Sequence, residues 1–420
     1  MKNKKKIFVI SYYANLNGTC MAEWLDDKMN SLKKLSYNID VLTSSFANKY
    51  KSSLANHWRV SSISILDFYY ELKIISSANR RLRLCDWLLL PLVLTFGIVG
   101  DLIQFLLIKG KGEGGWSWTP GALVLSVIVC IFKRPHIILS TGGCASAHLV
   151  AIIVGKLFQI FTVVELQDPL SGENIGRNSR SKFFLLKFEK ILLNYADKIV
   201  YVTKNAATAA RKNFKSEKIK GIYPGARKFN INYVGKFKKS KKFSLIHLGS
   251  LYSNRNLNSI INAIDIAIKK NRMLLKKIEL INMGGDNDGF LDSVRNKNYI
   301  KSLPPTTRIK AIKFAAKCNV ALLVQHIDNR SRLTIPYKTY DYLNLGIPII
   351  AILNNNELKN LLKKKGHQVF GFNEVEKISE VILNFYENRA SLNIKKNTLD
   401  PLNQTRKLLQ KDSSRSYKSY

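Results

Sequence analysis

The chain is poor in carboxylates. It carries 29 Asp and Glu against 67 Lys and Arg, a formal net charge of +38. Such an imbalance points to phosphate-bearing ligands, an anionic membrane or nucleic acid. It is also heavy in Lys, Asn, Ile and Tyr, the residues of AT-rich codons, so compositional drift is a second source of the excess. Cysteine is scarce as well: Cys20, Cys85, Cys130, Cys144 and Cys318 are scattered, odd in number and form no CxxC pair. No disulfide framework or zinc site follows from that pattern, and a reducing cytosol is the default compartment. The basic start is followed by an apolar run, Ile7 to Ile10, too short for a signal sequence. Patterns of nucleic-acid binding are missing too, with no RNP-like segment, helix-turn-helix or zinc pattern. The Tyr and Phe residues fall in core-like strands instead of on a stacking platform, so no nucleic-acid partner is expected.

What is present is apolar and periodic. At 420 residues, 46% hydrophobic and 23% charged, the chain can bury the cores of two domains and is no disordered tail. Short apolar runs ending in Gly-bearing loops alternate with helical patterns: strands at 7–11, 39–43, 136–140, 162–166 and 198–203, with helices at 21–35, 145–157, 182–194 and 205–214 between them. Residues 223–242 break the rhythm with Tyr-Pro-Gly and a lysine-rich run. It then restarts, with strands at 244–248, 278–282, 320–324 and 348–352 and helices at 257–270, 310–316 and 337–345. Continuous apolar strands alternating with helices indicate parallel sheets buried on both faces. The expected fold class is therefore α/β, with two Rossmann-like doubly wound domains facing a cleft. The expected divisions are a first domain at 1–230, a basic linker at 231–243, a second domain at 244–385, and a C-terminal helix and basic tail at 386–420. The chain after Asp400 is polar and basic and is expected to fray.

Residues 87–108 are nearly all apolar, interrupted by Pro91, Gly97, Gly100, Asp101 and Gln104. Length alone allows a membrane span. A span would put strands 7–11 and 136–140, members of one sheet, on opposite sides, and Asp101 would cost about 2.5–3.5 kcal/mol at the bilayer centre. Arg80, Arg81 and Arg83 precede the segment, and Lys109 and Lys111 follow it. A surface-lying or re-entrant element against an anionic membrane accounts for this, and a buried core helix is the alternative.

The stretch from Thr334 to Ile350 carries the clearest chemistry. Lys338 and Asp341 lie three apart at a helix start and share a face. Backbone N–H groups and an ammonium there suit a diphosphate, and a carboxylate one turn on can accept from two vicinal hydroxyls. Gly346 and Pro348 then turn the chain into the next strand. In this the sequence resembles the retaining glycosyltransferases of the GT-B fold, family 4, whose Lys-x-x-Glu-Tyr and Gly-x-Pro pattern is matched by Lys338, Asp341, Tyr342, Gly346 and Pro348, with Asp in place of Glu. The resemblance implies that Lys338 holds the donor diphosphate and Asp341 the ribose. Many relatives carry another Glu eight residues earlier; here that position is Leu333.

Further landmarks fit the same resemblance. The Gly249 loop leading to Arg255 looks like the family's phosphate-binding loop, and Gly18 like the glycine that approaches the donor phosphates. Gly249, Arg255, Thr334, Lys338, Asp341 and Gly18 are thus the implied donor-binding set. His148, Arg255 and Lys338 are the implied catalytic groups and Asp168 the acceptor-side residue, while His247 at a strand end reads as structural. Fixed cations would stabilise the leaving group, so no metal and no cofactor is implied. Asp286-Asn-Asp288 could mimic a metal motif but sits where a Gly turn is expected, and Asp and Asn are common turn residues. The resemblance implies a metal-independent, retaining transfer of a hexosyl group from a nucleotide diphosphate sugar to a saccharide or lipid-linked acceptor, in surface polysaccharide or lipopolysaccharide synthesis. A sugar-nucleotide epimerase on the same frame is the rival. The expected location is cytoplasmic, peripheral on the inner face of the cytoplasmic membrane.

Overall fold

A computed structural model describes residues 4–15, 20–77, 84–108, 115–170, 172, 179–228, 242–388 and 399–411. Gly18 and nearly all of the expected basic linker, 231–243, lie outside them. The chain forms two compact units, residues 1–224 with 400–420 and residues 225–399.

The first unit runs β1 (Lys6–Ile10), α1 (Cys20–Lys34), β2 (Asn38–Ser44), β3 (Asn56–Val60), α2 (Ile65–Ser77), α3 (Leu84–Ile108), α4 (Thr119–Lys133), β4 (Ile137–Gly142), α5 (Ala145–Leu157), β5 (Phe161–Leu166), α6 (Ser179–Tyr195), β6 (Lys198–Tyr201), α7 (Lys204–Phe214) and β7 (Ile219–Gly221). Its seven strands are parallel, in the order β3-β2-β1-β4-β5-β6-β7. β1, Lys-Ile-Phe-Val-Ile, is buried on both faces because its neighbours bury both sets of side chains. Ile7 and Val9 join a core with Leu25 and Met29 of α1. Phe8 and Ile10 face the other way, into a core with Ala122 and Val129 of α4 and Ala147 and Val150 of α5. That is the physical reason the strand reads as an unbroken apolar run.

The second unit continues with β8 (Phe243–Leu248), α8 (Asn258–Lys270), α9 (Leu274–Lys277), β9 (Ile278–Met283), α10 (Phe290–Ser293), β10 (Ile300–Leu303), α11 (Arg308–Ala315), β11 (Val320–Val324), α12 (Lys338–Leu345), β12 (Ile349–Ile352), α13 (Asn356–Lys363), β13 (Gln368–Phe370) and α14 (Val375–Glu387). Its six strands are ordered β10-β9-β8-β11-β12-β13. Each sheet therefore starts in the middle, winds outward one way, then returns and winds the other way. The reversal falls between β1 and β4 in one unit and between β8 and β11 in the other. In doubly wound sheets the carboxyl ends of the strands at that reversal open a crevice that binds ligands.

Of the residues after Asp400, 401–409 form a docked helix instead of fraying. α15 (Pro401–Leu409) packs on α1, and Pro401, Thr405, Leu408 and Leu409 are buried at helical spacing, the last two in the same core as Leu25 and Met29. The Asp400 side chain caps its start by accepting from Leu402 N at 3.0 Å. Lys198 Nζ donates to the carbonyls of Lys407 and Gln410, both at 3.0 Å, satisfying the end of the helix. One narrow apolar stripe is enough to dock this helix despite its polar composition.

Residues 87–108 form most of α3, which is neither a buried core helix nor isolated from the unit. Asp101 accepts from Ile65 N at 3.1 Å and also bonds the Ser64 hydroxyl, so the carboxylate caps α2.

Candidate functional site

The expected donor residues of the second unit gather where the strand order reverses. β8 ends at Leu248, and Gly249 turns the chain with φ 115°, a conformation that favours glycine. The turn after β9 crosses it so closely that a Cβ on Gly284 would lie 2.3 Å from the Gly249 carbonyl oxygen. Two glycine turns in backbone contact leave room above them that side chains would fill.

Lys338, the first residue of α12, reaches this turn. Its Nζ donates to His247 Nε2 and to the Leu248 carbonyl, both at 2.7 Å. A Cβ on Gly249 would lie 3.7 Å from that nitrogen. His247 can accept because it is neutral: burial, then the charge of Lys338 and also that of Arg255, push its pKa well below the usual range. Its Nδ1–H donates to Asn282 Oδ1 at 2.7 Å, which fixes the tautomer and leaves the Nε2 lone pair for the lysine. His247 and Asn282 are register partners on β8 and β9. The ammonium is thus aimed by a relay, Asn282 to His247 to Lys338.

Arg255 closes a small bridge with Tyr252, whose N donates to the Arg255 carbonyl at 3.3 Å while Arg255 N donates back at 3.1 Å. Its guanidinium lies 4.9 Å over the Tyr252 ring. Beside it His326 packs edge-on to Tyr252 at 4.9 Å and bonds Asn254 Oδ1 at 2.8 Å. Thr334 contributes backbone: its carbonyl accepts from Gln325 Nε2 at 3.0 Å and Asn355 Nδ2 at 2.9 Å, holding the loop before α12.

Asp341 lies one turn along α12 and is buried. Arg308, the first residue of α11, meets it as a fork, Nε to Oδ2 at 3.0 Å and a terminal nitrogen to Oδ1 at 2.6 Å. The same guanidinium stacks 4.6 Å over Tyr337. Each carboxylate oxygen accepts one bond from Arg308. Fixing α12 to α11 in this way sets the direction of Lys338. Asp286, in the candidate metal motif, accepts from Phe290 N at 3.0 Å and Leu291 N at 2.6 Å, and so caps α10.

The first unit places its expected residues separately. His148 on α5 is fully buried; Ser140 Oγ lies 2.9 Å from Nδ1, and Nε2–H donates to the Gly142 carbonyl at 3.2 Å. Burial lowers its pKa to about 4. Nearby, Lys28 and Glu165 form a buried ion pair that the Thr141 hydroxyl joins. Asp168 is exposed just beyond β5.

Sequence reasoning missed Arg308 and Asn282 and gave His247 no part in aiming Lys338. Two largely apolar strands that each carry a polar residue just before their last position, His247 before Leu248 and Asn282 before Met283, were the available signal. Arg308 had none, because its partner lies 33 residues away and only the fold joins them.

A comparison with protein-family models finds no match, and none is found among curated sequences. Solved structures do match. The fold is similar to that of HepE from Anabaena in complex with UDP-glucose, at 12% identity over 97% of this chain and 95% of that one, TM-score 0.54. TarM matches at 10% identity over 97% and 95%, TM-score 0.60. Sucrose-phosphate synthase of Thermosynechococcus elongatus matches at 10% over 96% and 95%, also with TM-score 0.60. The fold is accordingly GT-B, two parallel-sheet α/β domains.

Proposed function

We propose that this protein transfers a hexosyl group from a nucleotide diphosphate sugar to a saccharide or lipid-linked acceptor, with retention at the anomeric carbon, in surface polysaccharide or lipopolysaccharide synthesis. The observation that carries this is the ammonium of Lys338, locked by His247 and the Leu248 carbonyl above two crossed glycine turns at the strand reversal of the second sheet. The presence of UDP or UDP-glucose in the HepE structures supports a nucleotide-sugar donor on this fold.

In this reading the diphosphate lies over Gly249 and Gly284, where no side chain keeps it from the backbone. The bond between the anomeric carbon and the phosphate oxygen breaks, and negative charge gathers on the departing diphosphate. Lys338 and Arg255 oppose that charge in a fixed array that needs no reorganisation and no metal ion. Asp341 accepts from the ribose hydroxyls while Arg308 holds it. The acceptor hydroxyl oxygen takes the place of the diphosphate and loses its proton. His148, saturated by Ser140 and Gly142, shapes the turn after β4 instead of exchanging protons, and Asp168 serves the acceptor side.

Thermal-shift measurements with UDP-, GDP-, ADP- and dTDP-sugars test this, since a ligand of the folded state raises Tm by mass action. One of the four is expected to do so. Lys338→Ala should weaken that donor by about 1.5–3 kcal/mol, roughly ten- to a hundredfold in Kd. Undiminished affinity and turnover in Lys338→Ala would overturn the assignment.

A further inference from the structure

We infer that the outer face of α3, continued by α6, is a docking surface for an anionic lipid bilayer, on which the first unit lies without crossing it. The helix is divided lengthwise. Val93 and Gly97 are buried, Asp101 faces the same way, and a Cβ on Gly97 would come within 2.8 Å of Ile65 Cγ1, so small residues let α3 lie against the start of α2. Leu88, Leu94, Ile98, Leu102, Phe105 and Leu106 lie on the outer side and are each more than half exposed. At about 100° per residue they cover an arc of roughly 120°, in which the hydroxyl of Thr95 donates back to the Pro91 carbonyl at 2.8 Å. The residue that argues most against lipid, Asp101, is on the protein side.

The other described carboxylates of this region are turned inward as well. Glu71 accepts from Tyr12, Ser44, Ser45 and Ser62, and Asp67 accepts from the Ser117 hydroxyl at 2.6 Å. Cations border the apolar face instead. α6 packs against α3 and carries exposed Phe183 and Leu186 between exposed Lys182 and Lys187, with Lys187 Nζ 4.4 Å over the Phe183 ring. Arg80, Arg81 and Arg83 precede α3 in sequence, and Lys109 and Lys111 follow it. Hydrocarbon beside the exposed lysines of α6, flanked in sequence by further cations and with the described carboxylates withdrawn, complements acyl chains beneath anionic headgroups. A large exposed apolar patch calls for such a partner.

Crossing is excluded by connection. α3 lies between β3 and β4, which belong to one sheet, and it packs on α2 and α6. The stretch Trp116–Lys133 is also long and apolar enough to cross a membrane by length and composition. Its residues Ala122 and Val129, however, belong to the core beneath the sheet. The surface stands independently of the chemistry proposed above.

Sedimentation of the full chain with vesicles tests it. Binding is expected to phosphatidylglycerol-containing vesicles at low salt, less to pure phosphatidylcholine, and less again as salt screens the cations. The double variant Ile98→Glu with Leu102→Glu should bind about tenfold or more weakly. Both side chains are exposed, so its melting curve should match the wild type, while Leu275→Glu on the second unit should leave binding unchanged. Equal binding by the double variant would overturn the proposal, as would no binding at low salt. A dimer that the double variant dissolves, with vesicle binding unaltered, would reassign the face to a second copy of the chain.

Discussion

The two sheets share a strand order and differ at the reversal point. In the first, the groups beneath the strand ends are paired with one another: Lys28 with Glu165 as ions, His148 by hydrogen bonds with Ser140 and Gly142. In the second, the strand ends carry Lys338 and Arg255 around a neutral His247, and the nearby ion pair ties down a helix that aims one of these cations. One topology thus supplies the same reversal twice with different side chains around it, and the proposed donor site rests on the second.

The largest expected effect sets the two buried ion pairs against each other. Asp341→Ala strands the Arg308 guanidinium and Glu165→Ala strands the Lys28 ammonium, and each should cost about 3–5 kcal/mol in denaturant unfolding. Only Asp341→Ala should also reduce the donor-induced rise in Tm. Equal reductions in both variants would erase the distinction between the units.

Acid comes next. His148 is held at about 4 in the folded chain, against about 6.5 when exposed, so unfolding takes up a proton between these values. The stability this represents is fully present above pH 6.5 and is lost as pH falls toward 4, about 3 kcal/mol at the limit. His247 adds to the loss in the same direction. Urea unfolding at a series of pH values should show this acid limb, and His148→Gln should make it shallower. An unchanged slope would mean that His148 is not buried as a neutral ring.

The smallest effect concerns α15. Asp400→Ala removes the cap on Leu402 N and should cost about 1 kcal/mol. That loss belongs to the first unit, so donor affinity at Lys338 should stay at the wild-type value when titrated at a temperature where both proteins are folded.

The alternation of strands and helices was legible because parallel strands buried on both faces leave continuous apolar runs, as in β1, β8 and β11. β3, Asn-His-Trp-Arg-Val, was not, since an edge strand that is only partly buried keeps polar residues. The docking of α15, read as fraying, escaped for a related reason: four buried residues are diluted among polar ones. In the candidate site, Lys338, Asp341 and Gly249 could be read because a local pattern of turn and helix start holds them. Arg308 could not, because a long-range pair leaves no trace in spacing. The apolar character of 87–108 was plain, whereas its division into a hydrocarbon face and a face of Gly97 and Asp101 required α2 as a reference.

The return of α15 to the first unit alters the order of assembly. Domains of a nascent chain usually fold in the order in which they emerge, the N-terminal one first. Here the ribosome must make all of residues 225–399 before it delivers Leu408 and Leu409 to the core containing Leu25 and Met29. The unit begun first is completed second, and until then its α1 face remains uncovered.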